Sequence, residues 1–139
     1  MHAQAMISTH PDVRGSGSTN DVLVRAIEAC FDCAQACASC ADACLAEPMV
    51  EQLRQCIRLD LDCADICIAT GMAGSRRTGS NEAVLKALIE TCAEACWVCG
   101  EECARHAQMH EHCAICAEAC RDCETLCREA AASITPQRH

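Results

Sequence analysis

Cysteine is the residue type whose number and spacing point to chemistry in this chain. The 139-residue sequence contains 17 cysteines, and each belongs to one of four sets. Within a set, successive cysteines lie 3, 4 or 7 residues apart, which places their side chains on one face of an α-helix. A helix face lined with thiols is a candidate site for soft metal ions. The sets are Cys30, Cys33, Cys37, Cys40 and Cys44; Cys56, Cys63 and Cys67; Cys92, Cys96, Cys99 and Cys103; and Cys113, Cys116, Cys120, Cys123 and Cys127.

Four helices are predicted to carry the four sets and to position their thiols. No segment shows the alternation of a strand, and β-branched residues are sparse. Short connections predict an all-α fold over residues 20–134: an antiparallel up-down-up-down four-helix bundle with a Cys-lined core. The helices are expected at about 20–46, 48–70, 80–105 and 109–132, between an irregular N-terminal arm at 1–19 and a C-terminal tail at 135–139.

Local signals predict where these helices begin and end. Ser18, Thr19 and Asn20 are candidates to cap the first helix, because their side chains accept hydrogen bonds from free backbone N–H groups. Pro48 suits the first turn of the second helix. Gly71 is expected to end that helix.

Composition argues against several partners and locations. The formal net charge of −9 disfavours nucleic acid and anionic membranes, because both attract a basic surface. The sequence has no apolar stretch of about 20 residues that would span a membrane, and its N-terminal segment lacks the apolar region of a signal peptide. We therefore expect a cytoplasmic protein, in which the thiols stay reduced and bind metal rather than pair.

Two structural explanations of the cysteines compete with metal binding. Free Cys packs as a small hydrophobe, but Leu or Ile fill a core better, so packing alone is a poor explanation for 17 cysteines. Disulfides within one helix are disfavoured, because the Cβ atoms lie about 5–6 Å apart and a disulfide needs about 3.5–4.5 Å. Disulfides between different helices stay an alternative, and we interpret them as products of oxidation.

Charge balance selects Cu(I) among the soft metals. One Cu(I) ion bound per thiolate is neutral, whereas a Zn(II) ion held by four thiolates leaves negative charge that is expensive to bury. Iron–sulfur clusters need ligand loops around an inorganic core, and here the cysteines lie on continuous helices. The set from Cys30 to Cys44 extends over roughly 21 Å of helix, which suits a row of ions. The expected cargo is multiple Cu(I) ions, at roughly one ion per thiolate.

One end of the predicted bundle collects further candidate copper ligands. In an up-down-up-down bundle the first and third connections lie at the same end; the first contains a Met residue, and the third contains His and Met residues. His110 lies three residues before Cys113 and continues its helix face, so it is a candidate ligand. We expect copper to enter and leave there; the alternative is that these are ordinary surface residues near a turn. The entrance candidates are His106, Met109, His112 and Met49.

Asp60 occupies a position where the cysteine face of the second helix lacks a ligand. Steps of 4, 3 and 4 residues from Cys56 lead through Asp60 to the other two cysteines of the set. An unpaired buried carboxylate is expensive, so two arrangements stay open. Either Asp60 faces the histidine end as a metal ligand or as a partner for His110, or the helix rotates so that Leu59 points inward and Asp60 is solvated.

The sequence resembles the bacterial copper storage proteins over nearly its whole length. The opening MHAQAMISTHP resembles the cytosolic branch of that family. The resemblance implies a four-helix bundle, Cu(I) held by core thiolates, a homotetramer, a histidine ligand that matches His110 and an aspartate ligand that matches Asp60. The segments that carry the resemblance are FDCAQACASCADACL, CIRLDLDCADICIATG, CAEACWVCGEEC and HEHCAICAEACRDCETLC.

Storage or sequestration of Cu(I), without enzymatic turnover, is the predicted function. A thiol redox enzyme would need an activated cysteine, for instance beside Lys or Arg, which the four sets do not supply. A metal sensor or delivery protein is the other alternative, and it would carry one or two exposed sites. A copper chaperone is a candidate partner. An apolar stripe beside the cysteines gives the homotetramer independent support, and its members are Leu53, Ile57, Leu61 and Ile68.

Overall fold

Residues 1–16 and 19–135 are described by the computed structural model, and they form helices joined by turns. A short 3-10 helix, Val50–Leu53, leads directly into the fourth α-helix. No strand occurs within these described ranges. The α-helices are α1 (Ala3–Ser8), α2 (Pro11–Ser16), α3 (Asp21–Leu45), α4 (Arg54–Ser75), α5 (Glu82–Arg105) and α6 (Glu111–Ala132).

The four long helices pack as a bundle in which each helix lies mainly against two neighbours. Helix α3 packs against α4 and α6, and α5 packs against the same two helices. Short connections join consecutive helices, so neighbours along the chain run antiparallel. The prediction of an all-α four-helix bundle is confirmed.

Asn20 caps the N-terminus of α3. Its side-chain oxygen accepts a hydrogen bond from the backbone N–H of Leu23 at 3.2 Å, and its φ is 53°. Asn tolerates this left-handed conformation because its short side chain bonds locally. Of the other capping candidates, Thr19 donates its hydroxyl hydrogen to the carboxylate of Asp21, and Ser18 lies outside the described residues.

Helix α4 begins and ends later than the sequence predicted. Pro48 lies in the turn before the 3-10 helix, and Gly71 lies inside α4. A Cβ atom on Gly71 would lie 2.8 Å from the ring of Phe31, and one on Gly74 would lie 2.9 Å from the side chain of Ile27. The two glycines therefore allow α3 and α4 to approach closely, and this packing outweighs the low helix propensity of glycine.

The N-terminal arm, expected to be irregular over residues 1–19, contains α1 and α2. Ile7 of α1 and Val13 of α2 are buried, and α1 packs against α3. His10, between the two helices, shares a hydrogen bond of 3.1 Å with Thr78. The expectation is wrong because two apolar side chains gain enough burial to hold short helices in place. Most of the predicted C-terminal tail, residues 136–139, lies outside the described residues.

Residues that fill the interior change character along the bundle axis. All 17 cysteines are at most 2% exposed. At the end where α3 and α5 begin, the buried side chains are aliphatic: Leu23, Ile27, Ile89 and Ile134. This end of the bundle is therefore closed by ordinary apolar packing.

Across the described ranges, every helix falls short of the length and apolarity that a bilayer crossing requires.

Candidate metal centre

The cysteines of the four long helices form one continuous group along the bundle axis, here called the thiol column. All 17 are free and buried. Sulfurs on different helices come close, with 3.6 Å between the Sγ atoms of Cys67 and Cys92. Sulfurs on one helix are nearly as close, with 3.8 Å between Cys33 and Cys37. These are contacts between reduced sulfurs, since a disulfide bond would bring them to about 2.05 Å.

Within the thiol column, sets of four sulfurs lie close enough to bind a single ion. In each set the Sγ atoms lie within 4.8 Å of one another, and each set draws on three helices. Cys33 and Cys37, for example, each belong to two sets, so the sets merge into a row. Four such sets are Cys30, Cys92, Cys123 and Cys127; Cys33, Cys63, Cys67 and Cys96; Cys33, Cys37, Cys63 and Cys120; and Cys37, Cys99, Cys116 and Cys120.

Small residues beside the cysteines bring the helices close enough for these contacts. Ala34, Ala93 and Ala117 are buried between helices. A Cβ atom on Gly100 of α5 would lie 3.2 Å from the Cβ atom of Cys120 on α6. Because side-chain size at the contact sets the distance between helix axes, larger residues here would separate the sulfurs.

Burial disfavours the thiolate form of Cys44 and Cys113, which lie where α3 ends and α6 begins. Removal from water raises the pKa of Cys44 to about 11 and also raises the pKa of Cys113, because a thiolate is poorly solvated there. Deeper in the column, hydrogen bonding with Cys116 and other sulfurs raises the pKa of Cys37. A metal that binds these groups must displace protons, which favours a soft cation with high affinity for sulfur.

Asp60 of α4 lies inside the thiol column. It is 0% exposed, and its Oδ1 atom accepts hydrogen bonds from the thiols of Cys99 at 3.1 Å, Cys116 at 3.3 Å and Cys103 at 3.4 Å. Leu59 is only partly buried, so the structure adopts the arrangement with the carboxyl group facing inward. Desolvation raises the pKa of Asp60 to about 8. This carboxyl group is therefore held among sulfurs in a largely protonated form at neutral pH.

The mouth of the thiol column lies where α3 ends and α6 begins. Cys40, Cys44, Cys113 and His112 have ligand atoms within 4.8 Å of one another. The Nδ1 atom of His112 lies 3.4 Å from Cys40 Sγ and 3.6 Å from Cys113 Sγ. His110 stacks on His112 with ring centroids 5.5 Å apart and is itself buried. The fold thus brings both histidines to the end of the column, with His112 in contact with two sulfurs.

The other predicted entrance residues surround the mouth in different environments. His106 Nε2 lies 2.9 Å from Oε2 of Glu102, a buried carboxylate that also accepts a hydrogen bond from Arg105. Met109 is 66% exposed, and Met49 is partly buried just before the 3-10 helix. A role for these residues in copper exchange stays a prediction.

Two carboxylates near the mouth, those of Glu47 and Glu102, were not among the residues predicted from the sequence. Glu47 Oε1 lies 3.2 Å from His112 Nε2 and 3.4 Å from His110 Nδ1. No local spacing relates residue 47 to residues 110 and 112, so only the folded chain reveals this contact. Glu102 precedes its two partners by three and four residues, a helical spacing that was a usable signal.

A four-helix bundle whose interior is a column of buried, reduced cysteines defines a class of protein built to hold many soft metal ions. An ordinary core needs no such set of thiols, since aliphatic side chains pack better. The sequence model of the copper storage protein family matches residues 19–132. The chain belongs to the copper storage protein family, as its resemblance implied.

Several relatives are similar to this chain in sequence, and those with solved structures are also similar to it in fold. The copper storage protein Ccsp of Streptomyces lividans, loaded with 10 copper equivalents, is 51% identical with a TM-score of 0.88, over 94% of this chain and 98% of that one. The Cu(I)-bound copper storage protein BsCsp3 of Bacillus subtilis is 43% identical with a TM-score of 0.68, over 76% of this chain and 94% of that one. The uncharacterized cysteine-rich protein YhjQ of Bacillus subtilis (strain 168) is 42% identical over 106 residues, covering 76% of this chain and 93% of the relative.

Proposed function

We propose that this protein stores multiple Cu(I) ions in the cytosol without catalytic turnover, at roughly one ion per thiolate. The observation that carries the proposal is the continuity of the thiol column, in which 17 buried free cysteines contact one another across the four long helices. Each Cu(I) ion replaces a thiol proton, so the interior stays neutral as ions accumulate. Relatives carry copper in solved structures, and one of them is described as a cytosolic copper storage protein.

The proposed ligands are the 17 cysteines together with Asp60 and His110. Both residues are buried, Asp60 among the sulfurs and His110 stacked on His112, which supports these assignments because each offers a ligand atom shielded from water. A copper chaperone is the proposed donor of the metal, and exchange takes place at the mouth. The residues proposed to pass copper between solvent and column are His112, His106, Met109 and Met49.

The protein is further proposed to form a homotetramer. Exposed apolar side chains support this assembly: Leu61 is 49% exposed and Ile68 is 43% exposed on α4, and Trp97 on α5 is 48% exposed. Leu53, from the same predicted stripe, is 0% exposed and packs inside its own chain. Sedimentation velocity is expected to show a single species of four chains, and a monomer at micromolar concentration would contradict the assembly.

An anaerobic titration with Cu(I) against a coloured Cu(I) chelator tests storage. We expect more than about ten ions per chain to bind before the chelator competes, with the thiols consumed in step, because the sulfurs form a continuous row of soft ligands. Saturation at one or two ions would indicate a sensor or a delivery protein instead. Rapid thiol–disulfide exchange with little dependence on metal would indicate a redox enzyme.

Removing one set of four sulfurs provides a matched comparison. A variant with Cys33, Cys37, Cys63 and Cys120 replaced by Ser is expected to bind about four fewer ions, because each thiolate neutralises one ion. The control replaces exposed neighbours on the same helices with Ser and is expected to bind as many ions as the wild type; its positions are Asp32, Ala38, Asp65 and Arg121. Equal capacity in the two variants would show that copper binds elsewhere.

A further inference from the structure

Glu47 connects the mouth to the turn between α3 and the 3-10 helix. Its Oε1 atom lies 3.2 Å from Nε2 of His112 and 3.4 Å from Nδ1 of His110. The side chain of Glu47 is 27% exposed, and those of His112 and His110 are 25% and 6% exposed. One carboxylate oxygen therefore faces two imidazole rings in a partly dehydrated site, where such contacts are stronger than in water.

This contact decides which nitrogen of His112 carries the proton. A carboxylate only accepts hydrogen bonds, so Nε2 of His112 is the atom that donates its N–H to Glu47. In the neutral ring the other nitrogen, Nδ1, then has a free lone pair. That atom lies 3.4 Å from Cys40 Sγ and 3.6 Å from Cys113 Sγ, so its lone pair is available beside two thiols of the mouth.

The same carboxylate has the opposite effect on His110. Its Nδ1 atom faces Glu47, which favours a proton on that nitrogen and a lone pair on Nε2. Among the described residues, the Nε2 atom of His110 is buried and has no hydrogen-bond partner. Leaving a buried polar atom unpaired is unfavourable, and an arriving Cu(I) ion would use that lone pair.

We propose that Glu47 is a positioning residue for copper transfer, which holds His112 and His110 in opposite tautomers and so presents Nδ1 of one and Nε2 of the other to the metal. Histidines that bind metals commonly donate their second N–H to a carboxylate, which orients the ring and raises its basicity as a ligand. Glu47 contacts the edge of the His112 ring away from the sulfurs and is not itself a ligand. The proposal rests on the proposed storage of Cu(I) and identifies the residue that prepares the mouth for it.

Ring-nitrogen NMR of the metal-free, full-length protein tests the positioning directly. At a pH where the rings are neutral, long-range ¹H–¹⁵N spectra are expected to show His112 as the Nε2–H form and His110 as the Nδ1–H form. Glu47→Ala is expected to abolish both preferences, and Glu47→Gln to retain them in part, because its amide oxygen still accepts hydrogen bonds. The control is Glu51→Ala, at an exposed position in the 3-10 helix of the same connection. Unchanged tautomers in Glu47→Ala overturn the proposal.

The rate of Cu(I) transfer from a coloured chelator supplies the functional readout. Removing a carboxylate behind a metal-binding histidine commonly lowers affinity or activity 10- to 100-fold, so Glu47→Ala is expected to take up copper about tenfold more slowly. Glu47→Gln should recover part of the rate, and Glu51→Ala all of it. If the wild type takes up copper and every variant takes it up at the same rate, the role of Glu47 is overturned. If the wild type takes up no copper, the storage function fails, and the tautomers still decide whether Glu47 positions the rings. Should Glu47→Ala not fold, Glu47→Gln is compared with the wild type instead. If Glu47→Gln then shows the same tautomer populations and the same rate of copper uptake as the wild type, the proposal is overturned.

Discussion

Asp60→Asn is expected to change how the stability of the metal-free protein depends on pH. Asp60 is fully buried, and desolvation raises its pKa from 3.8 to about 8. Between these two values the folded protein keeps the carboxyl group protonated, whereas the unfolded chain ionises it. Ionisation therefore favours the unfolded chain, and the wild-type protein loses stability as the pH rises from about 4 toward 8.

The size of this effect follows from the difference in pKa. One unit corresponds to about 1.36 kcal/mol, so raising the pH from about 4 to about 7 removes about 4 kcal/mol from the free energy of unfolding. This is a large part of the ~5–15 kcal/mol that stabilises a typical domain. Asn keeps the shape of the side chain and does not ionise, so the variant escapes the loss and is expected to overtake the wild type near neutral pH.

Urea denaturation under anaerobic, reducing conditions measures the difference between the two proteins at a series of pH values. Titrating groups other than Asp60 cancel in that difference. Asp65→Asn, at an exposed position on the same helix, is the control and is expected to follow the wild type. A difference between Asp60→Asn and the wild type that stays constant from about pH 4 to pH 7 would refute the reasoning, because Asp60 would then ionise equally in the folded and unfolded chains.

Two further predictions concern packing. Gly71→Ala is expected to lower the free energy of unfolding by about 1–3 kcal/mol, because its Cβ atom would lie 2.8 Å from the ring of Phe31. Gly15→Ala, whose added Cβ atom would meet no packed neighbour within 4 Å, is the control; equal melting temperatures of the two variants would contradict the close approach. Leu53→Ala is expected to remove about 2–5 kcal/mol by urea denaturation, since Leu53 is 0% exposed. Leu45→Ala, at a position that is 61% exposed, is its control, and a similar loss in both would show that Leu53 is not part of the core.

The spacing of the cysteines was enough to predict the helices, the thiol-lined interior and the soft metal. Side-chain direction on a helix is a local property, so gaps of 3 and 4 residues place Cys30 and Cys33 on one face whatever packs against them. The same phase made Asp60 a candidate for the face that carries Cys56, and charge balance selected Cu(I). These predictions needed no knowledge of which distant residues meet.

Contacts between distant parts of the chain were decided only by the tertiary structure. Asp60 and Leu59 were equal alternatives in the sequence, because a small rotation of α4 exchanges them and only packing against α5 and α6 selects one. Gly71 was predicted to end a helix from its propensity, but its close approach to α3 keeps it inside α4. Glu47 meets His112 across 65 positions of sequence, where local periodicity carries no information. Local preferences act along the backbone, whereas burial and close approach depend on surfaces that exist only after the helices have packed.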